Sequence, residues 1–162
     1  MALRIVRLGS PRLAGEGTRI GTVRRPPRGV PRAEWSRRDW FDAWYPDLAP
    51  SAGLLREGRA ASSEPQWRRF ARRYRREMAA PAPRRAIALL AALSRHADLS
   101  VGCYCADESR CHRSILRELL AECGARLVRD RARPPRRRRA GAVPRAARVD
   151  STSRRRYRGF VP

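Results

Sequence analysis

The chain has 162 residues, with 38 basic side chains, all of them arginine, against 15 acidic ones, for a formal net charge of +23. That length suits one domain with a real core, and a hydrophobic fraction of 42% excludes a wholly disordered chain. No apolar run approaches the roughly 18 residues of a membrane span, and Met1-Ala-Leu-Arg-Ile-Val has no apolar stretch ending in a small-residue cleavage site, so no membrane segment and a cytoplasmic location are expected.

Taken in order, the apolar residues alternate between strand and helix spacing. Leu3 to Leu8 alternates apolar and basic side chains, which predicts a half-buried strand. Arg19 to Val23 predicts a second, running into a loop forced by Pro26, Pro27 and Gly29. Trp40, Asp42 and Trp44 lie two apart, as in an extended segment, and Pro50-Ser51 starts a helix ahead of Leu54 and Leu55. Trp67, Phe70, Ala71, Tyr74 and Met78 are spaced by three and four, giving a helix with one apolar and one strongly basic face. After Pro81 and Pro83, Ala86, Ile87, Leu90 and Leu93 form a second such stripe, with His96 as a cation near its end.

Leu99 to Cys105 reads as a strand, 106–110 as a polar loop, and 111–123 as a helix with Gly124 as its cap. Leu127-Val128 reads as a last short strand. The expected fold is α/β: one compact domain over 1–130, with a small, mainly parallel sheet flanked by helices. Residues 131–162 hold 12 Arg against one acid, plus Pro and Gly and no apolar periodicity. They read as a disordered basic tail.

All four cysteines fall between 103 and 123. Strand geometry would put Cys103 and Cys105 on one face, about 6.8 Å apart, while Cys111 and His112 open the next helix, where backbone N–H groups are free. Cys123 lies about 18 Å further along that helix on its apolar stripe, and is expected in the core.

Three chemistries fit the turn. Cys103, Cys105, Cys111 and His112 could bind a metal, and three sulfurs with one nitrogen suit tetrahedral zinc. Cys111, at a helix start beside His112 and Arg113, could be a nucleophilic thiolate with His112 or Asp107 as proton acceptor. The helix amides with Arg110 and Arg113 could cradle an anion. A reducing cytoplasm argues against a structural disulfide and leaves a redox-sensing one between Cys105 and Cys111 open.

The runs Gly17 to Val30, Trp44 through Asp47-Leu-Ala-Pro-Ser51, Trp67-x-x-Phe70-x-x-x-Tyr74-x-x-Glu77-Met78 and Cys103-Tyr-Cys-Ala-Asp-Glu-x-x-Cys-His-Arg113 together resemble the Domain of Unknown Function 488 family, in its YeaO-like branch. The resemblance spans roughly residues 3–128. It implies a single compact α/β domain and no settled activity. It also implies that Arg24, Arg28 and the Cys-His-Arg at 111–113 are shared motif positions. Many relatives have other residues at 105, 111 and 112, so a metal or thiol role belongs to a cysteine-bearing branch, and anion binding travels better across the family.

Ligands of open α/β sheets bind outside the carboxyl ends of the strands. If the strands before Arg24 and Cys111 are parallel neighbours, Arg24 and Arg28 face the helix start at 111. The reading that follows is a site for a small anionic or nucleotide-like ligand formed by Arg24, Arg28 and Arg113 with the thiols and His112. A zinc-stabilised binding module, attached non-specifically to nucleic acid through 131–162, and a thiol redox sensor are the alternatives. The aromatics at 40, 44, 67, 70 and 74 are expected to pack in the core, and the arginine face of their helix to be solvated.

Overall fold

A computed structural model describes residues 1–128. The expected tail at 131–162, its boundary near Asp130 and its nucleic-acid role lie outside the described residues. Four strands form one sheet: β1 (Leu3–Arg7), β2 (Thr18–Gly21), β3 (Ala43–Trp44) and β4 (Leu99–Cys103). Their order is β1-β4-β2-β3 and every pairing is parallel. The registers run Leu3 to Leu99, Thr18 to Leu99 and Ile20 to Ala43. A last short strand at Leu127-Val128 is reduced to a single bridge from Leu127 to Leu3.

The helices are α1 (Ala52–Ala60), α2 (Glu64–Met78), α3 (Pro81–Leu93) and α4 (His112–Glu122). Their starts follow local chemistry. The Ser51 hydroxyl accepts from the Leu54 amide at 3.3 Å, and Ser63 and Gln66 form a reciprocal capping box on α2. Pro81 opens α3, where its missing N–H costs nothing. Among the described residues no helix is long and apolar enough to cross a membrane.

One face of the sheet is covered by the helices. Leu3, Ile5, Leu99 and Val101 pack with Leu54, Phe70, Tyr74, Ile87, Ile115 and Leu116 in one buried cluster. The predicted apolar stripes supply that cluster, so burial of these stripes fixes where the helices sit. Loops cover the other face. Phe41 lies so close over Gly21, and Leu8 over Gly102, that a Cβ at either glycine would overlap them.

Beneath those loops Arg19 is fully buried. Its Nε and Nη2 donate to the two Glu16 carboxylate oxygens at 2.6 and 2.8 Å, and Nη1 donates to the carbonyls of Ser10 and Asp39 at 2.8 and 2.6 Å. Glu16 also accepts from the Ser100 hydroxyl at 2.7 Å. Burial alone would raise the Glu16 pKa, but the hydrogen bonds from Arg19, the Leu13 amide and Ser100 outweigh it and hold the carboxyl at about 2.

Two expectations are corrected. Cys123 is exposed rather than in the core, because α4 ends at Glu122 and the stripe position after it has run past the packed layer. Trp44 is 39% exposed and donates its indole N–H to the Val23 carbonyl at 2.7 Å, since β3 is a two-residue edge strand with little to cover it.

Glu16→Gln leaves a buried guanidinium without its counter-charge, and should lower unfolding stability near pH 7 by about 3–5 kcal/mol. A carboxyl with a depressed folded-state pKa stabilises fully above its ordinary value of 4.5 and loses that contribution as pH falls toward about 2. The gap between wild type and variant in urea denaturation should therefore narrow across that window. A gap independent of pH would contradict the assignment.

Candidate functional site

The carboxyl ends of β2 and β4 lie side by side, as the parallel pairing Gly21 to Gly102 requires. Three segments meet there: the loop after β2, the loop between β4 and α4, and the first turn of α4. Strand β4 ends at Cys103, not Cys105. The chain bends after it, which brings the Sγ atoms of Cys103 and Cys105 to 3.7 Å. Cys111 is the N-cap of α4 and His112 its first residue. The Cys111 Sγ lies 3.7 Å from His112 Nδ1. Ligand atoms of Cys103, Cys111 and His112 all fall within 4.8 Å of one another, close enough to bind one metal ion, and all three residues are buried.

His112 leans inward beneath Tyr74, ring centroids 5.5 Å apart. Its Nε2 lies 2.9 Å from the Thr22 backbone oxygen. A carbonyl can only accept, so Nε2 carries a hydrogen, and whenever the ring is neutral its lone pair is on Nδ1, facing the Cys111 thiol. A second group that fixes the tautomer in this way is the arrangement seen both at metal-ligating histidines and at bases that serve a nucleophile.

The thiols differ. Cys111 is 2% exposed and Cys103 6% exposed, whereas Cys105 is exposed. A hydrogen bond from Cys103, another from Cys111, and the charges of Arg113 and Arg59 bring the Cys105 thiol down to about 3. Cys103, as the donor, is pushed up. Cys111 is lowered, chiefly through its hydrogen bond with Cys103. The solvent-accessible thiol of the three is thus Cys105, while Cys111, expected as the nucleophile, is buried. Asp107 accepts from the Ser109 amide and hydroxyl, and Glu108 pairs with Arg117 at 2.8 Å. Both carboxylates are so engaged, and His112 Nδ1 is the group in contact with the Cys111 thiol.

The cluster opens into a cavity of about 750 Å³. Arg24, Arg25 and Arg28 line it from the loop after β2, Arg56 and Arg59 from α1, and Arg110 from the loop before α4. Gly58 lets α1 approach Phe70 so closely that a Cβ there would lie 2.6 Å from the ring, and this sets the α1 wall. Among the described residues no carboxylate lines the cavity.

Arg24 and Arg28 thus line the same cavity as Cys111. Arg24 also holds the entry to α1, donating to the Ala49 and Pro50 carbonyls at 2.8 and 3.0 Å. Arg113 is elsewhere. It is 2% exposed and its two terminal nitrogens donate to the Val6 and Cys105 carbonyls at 2.6 and 2.7 Å. It positions the cysteine loop and does not line the cavity, which corrects the expectation that it contacts a ligand. Arg25, Arg56 and Arg59 also line the cavity, and no local pattern in the sequence separates them from the other arginines.

A family model described as the active DUF488-N3 subclade matches residues 3–124. The chain belongs to the DUF488 family. The finer YeaO-like assignment rests on the sequence motifs alone. No curated protein and no solved structure matches the chain.

Arg113→Lys retains the charge but lacks the fork that reaches two carbonyls. It should cost about 1–3 kcal/mol for a buried carbonyl left unpaired, read as a lower denaturation midpoint with unchanged slope. Unchanged stability would remove Arg113 from this positioning role.

Proposed function

We propose that this DUF488 domain binds a small anionic ligand in the arginine cavity, directly above the cysteine-histidine centre. The observation that carries the reading is the charge of the lining: among the described residues, six arginines and no carboxylate. A concave wall of one sign focuses its field and raises the local concentration of oppositely charged ligands. The exposed Cys105 thiol and the Cys111–His112 pair lie within the same lining. A bound ligand would sit against a thiol and an imidazole, a pairing that can serve as nucleophile and proton acceptor. Binding of inorganic pyrophosphate, followed by calorimetry on the full chain, should weaken about tenfold, or roughly 1.4 kcal/mol, in Arg28→Gln and again in Arg59→Gln. Equal affinity in wild type and both variants would overturn the reading.

A second reading has its own observation. Zinc–sulfur bonds of about 2.3 Å give a tetrahedron with edges of about 3.8 Å. Two edges of the cluster, Cys103 to Cys105 and Cys111 to His112 Nδ1, are both 3.7 Å. The tautomer held by Thr22 leaves Nδ1 free for a metal, and Cys103, Cys111 and His112 lie close enough together to hold one ion, whereas Cys105 falls outside that group and would have to move in as the fourth ligand. Bound there, zinc would tie the end of β4 to the start of α4 and keep the thiols deprotonated. Protein purified without chelators should contain about one zinc per chain, lost in Cys111→Ser and in His112→Ala. Metal-free wild-type protein that takes up no zinc on dialysis would exclude it.

A further inference from the structure

The cavity is larger, more heavily charged and more aromatic than a single inorganic anion requires. Its volume of about 750 Å³ falls in the range of pockets that enclose whole cofactor-sized ligands, roughly 300–1,000 Å³.

The cations fall into two groups. Arg24 is engaged with two carbonyls, and Arg110 pairs with Glu64 at 3.2 Å while lying 5.8 Å over the Trp67 ring. The side chains of Arg25, Arg28, Arg56 and Arg59 have no hydrogen-bond or ion-pair partner among the described residues. Arg56 and Arg59 are three apart on one face of α1. Arg25 and Arg28 belong to the loop after β2. A guanidinium binds phosphate oxygens bidentately, so four exposed guanidiniums supplied by two segments can hold more than one phosphate group.

Aromatic rings complete the lining. Trp40 and Tyr104 meet edge to face at 5.5 Å on the strand side, and Trp67 stacks on Phe70 at 4.9 Å on the α2 side. Trp40, Tyr104 and Trp67 are each only half-buried and all line the cavity. Planar rings beside a cluster of cations are the pairing that holds a nucleobase and its phosphates together.

We infer that the ligand of this cavity is a nucleotide carrying at least two phosphates, its phosphates between Arg25/Arg28 and Arg56/Arg59 and its base against the aromatic lining. This rests on the anion-binding reading above and adds the ligand's class. The same chemistry is offered by a free nucleoside polyphosphate and by the end of a nucleic-acid strand.

The test compares three probes on the full chain: inorganic pyrophosphate, a nucleoside diphosphate and a 5′-phosphorylated tetranucleotide. The diphosphate or the tetranucleotide should bind at least tenfold more tightly than pyrophosphate. Tighter binding of the diphosphate identifies a free nucleotide, and tighter binding of the tetranucleotide a strand end; both support the class. Arg56→Gln should weaken all probes. Tyr104→Leu and Trp67→Leu, used in parallel should one of them not fold, should weaken only the probes with bases. Pyrophosphate bound as tightly as either nucleotide overturns the nucleotide inference and leaves the anion site standing. No binding of any probe overturns both.

Discussion

Arg19 is the one guanidinium in the sheet that water does not reach, and its partners decide how the loops run. A buried charge without a partner is strongly destabilising, so Glu16 must lie under β2, and the carbonyls of Ser10 and Asp39 must turn toward it. Those contacts fold the segment between β1 and β2, and the segment before Phe41, onto the same face. Asp42 continues the constraint. It accepts from the Arg19 amide at 2.8 Å and from both terminal nitrogens of Arg12. Although burial acts to raise its pKa, the contacts from Arg12, Ser36 and Arg19 hold it at about 2. The loop faces of the sheet are therefore built on ion pairs, and the helix face on apolar packing.

That division explains why the site lies where it does. At the carboxyl end of the sheet the apolar layer and the loop layer meet, and neither closes the gap completely. Thr22, just beyond β2, supplies the carbonyl that fixes His112, and its hydroxyl donates to the Gly102 carbonyl at 2.9 Å. Arg113 performs the same service one residue further on, joining the Val6 carbonyl to the cysteine loop. Backbone oxygens at strand ends thus orient the imidazole and the thiols, while side chains from α1 and the loop after β2 face the cavity they leave.

Much of the architecture is legible in the sequence, because apolar spacing is a local signal. Trp67, Phe70, Tyr74 and Met78 mark α2 unambiguously, and three thiols beside a histidine mark the site. What escapes is whatever depends on residues distant in sequence. Among 38 arginines, nothing local separates Arg19, fully buried, from Arg59, which lines the cavity. Arg113 looked free because it follows the cysteine-histidine pair, yet its fork is spent on carbonyls from β1 and the cysteine loop. Cys123 kept the helical phase of its neighbours after the layer beneath it had ended. In each case periodicity gave the direction of a side chain, and tertiary contact decided what it met.

Strand order has a consequence for how the chain acquires this site. Of the two interior strands, β4 comes last in the chain, and both of its neighbours come from the first 21 residues: Leu3 and Thr18 each align with Leu99. Pairings across 80 or more residues pay a large loop-closure cost before they are rewarded, which slows folding. During synthesis, at about 5–20 residues per second, β1 and β2 wait several seconds for the strand that joins them. The cysteines emerge with that strand and immediately after it. The thiols are thus brought together in the same event that completes the sheet, and a nascent chain that stalls earlier holds no part of the cluster.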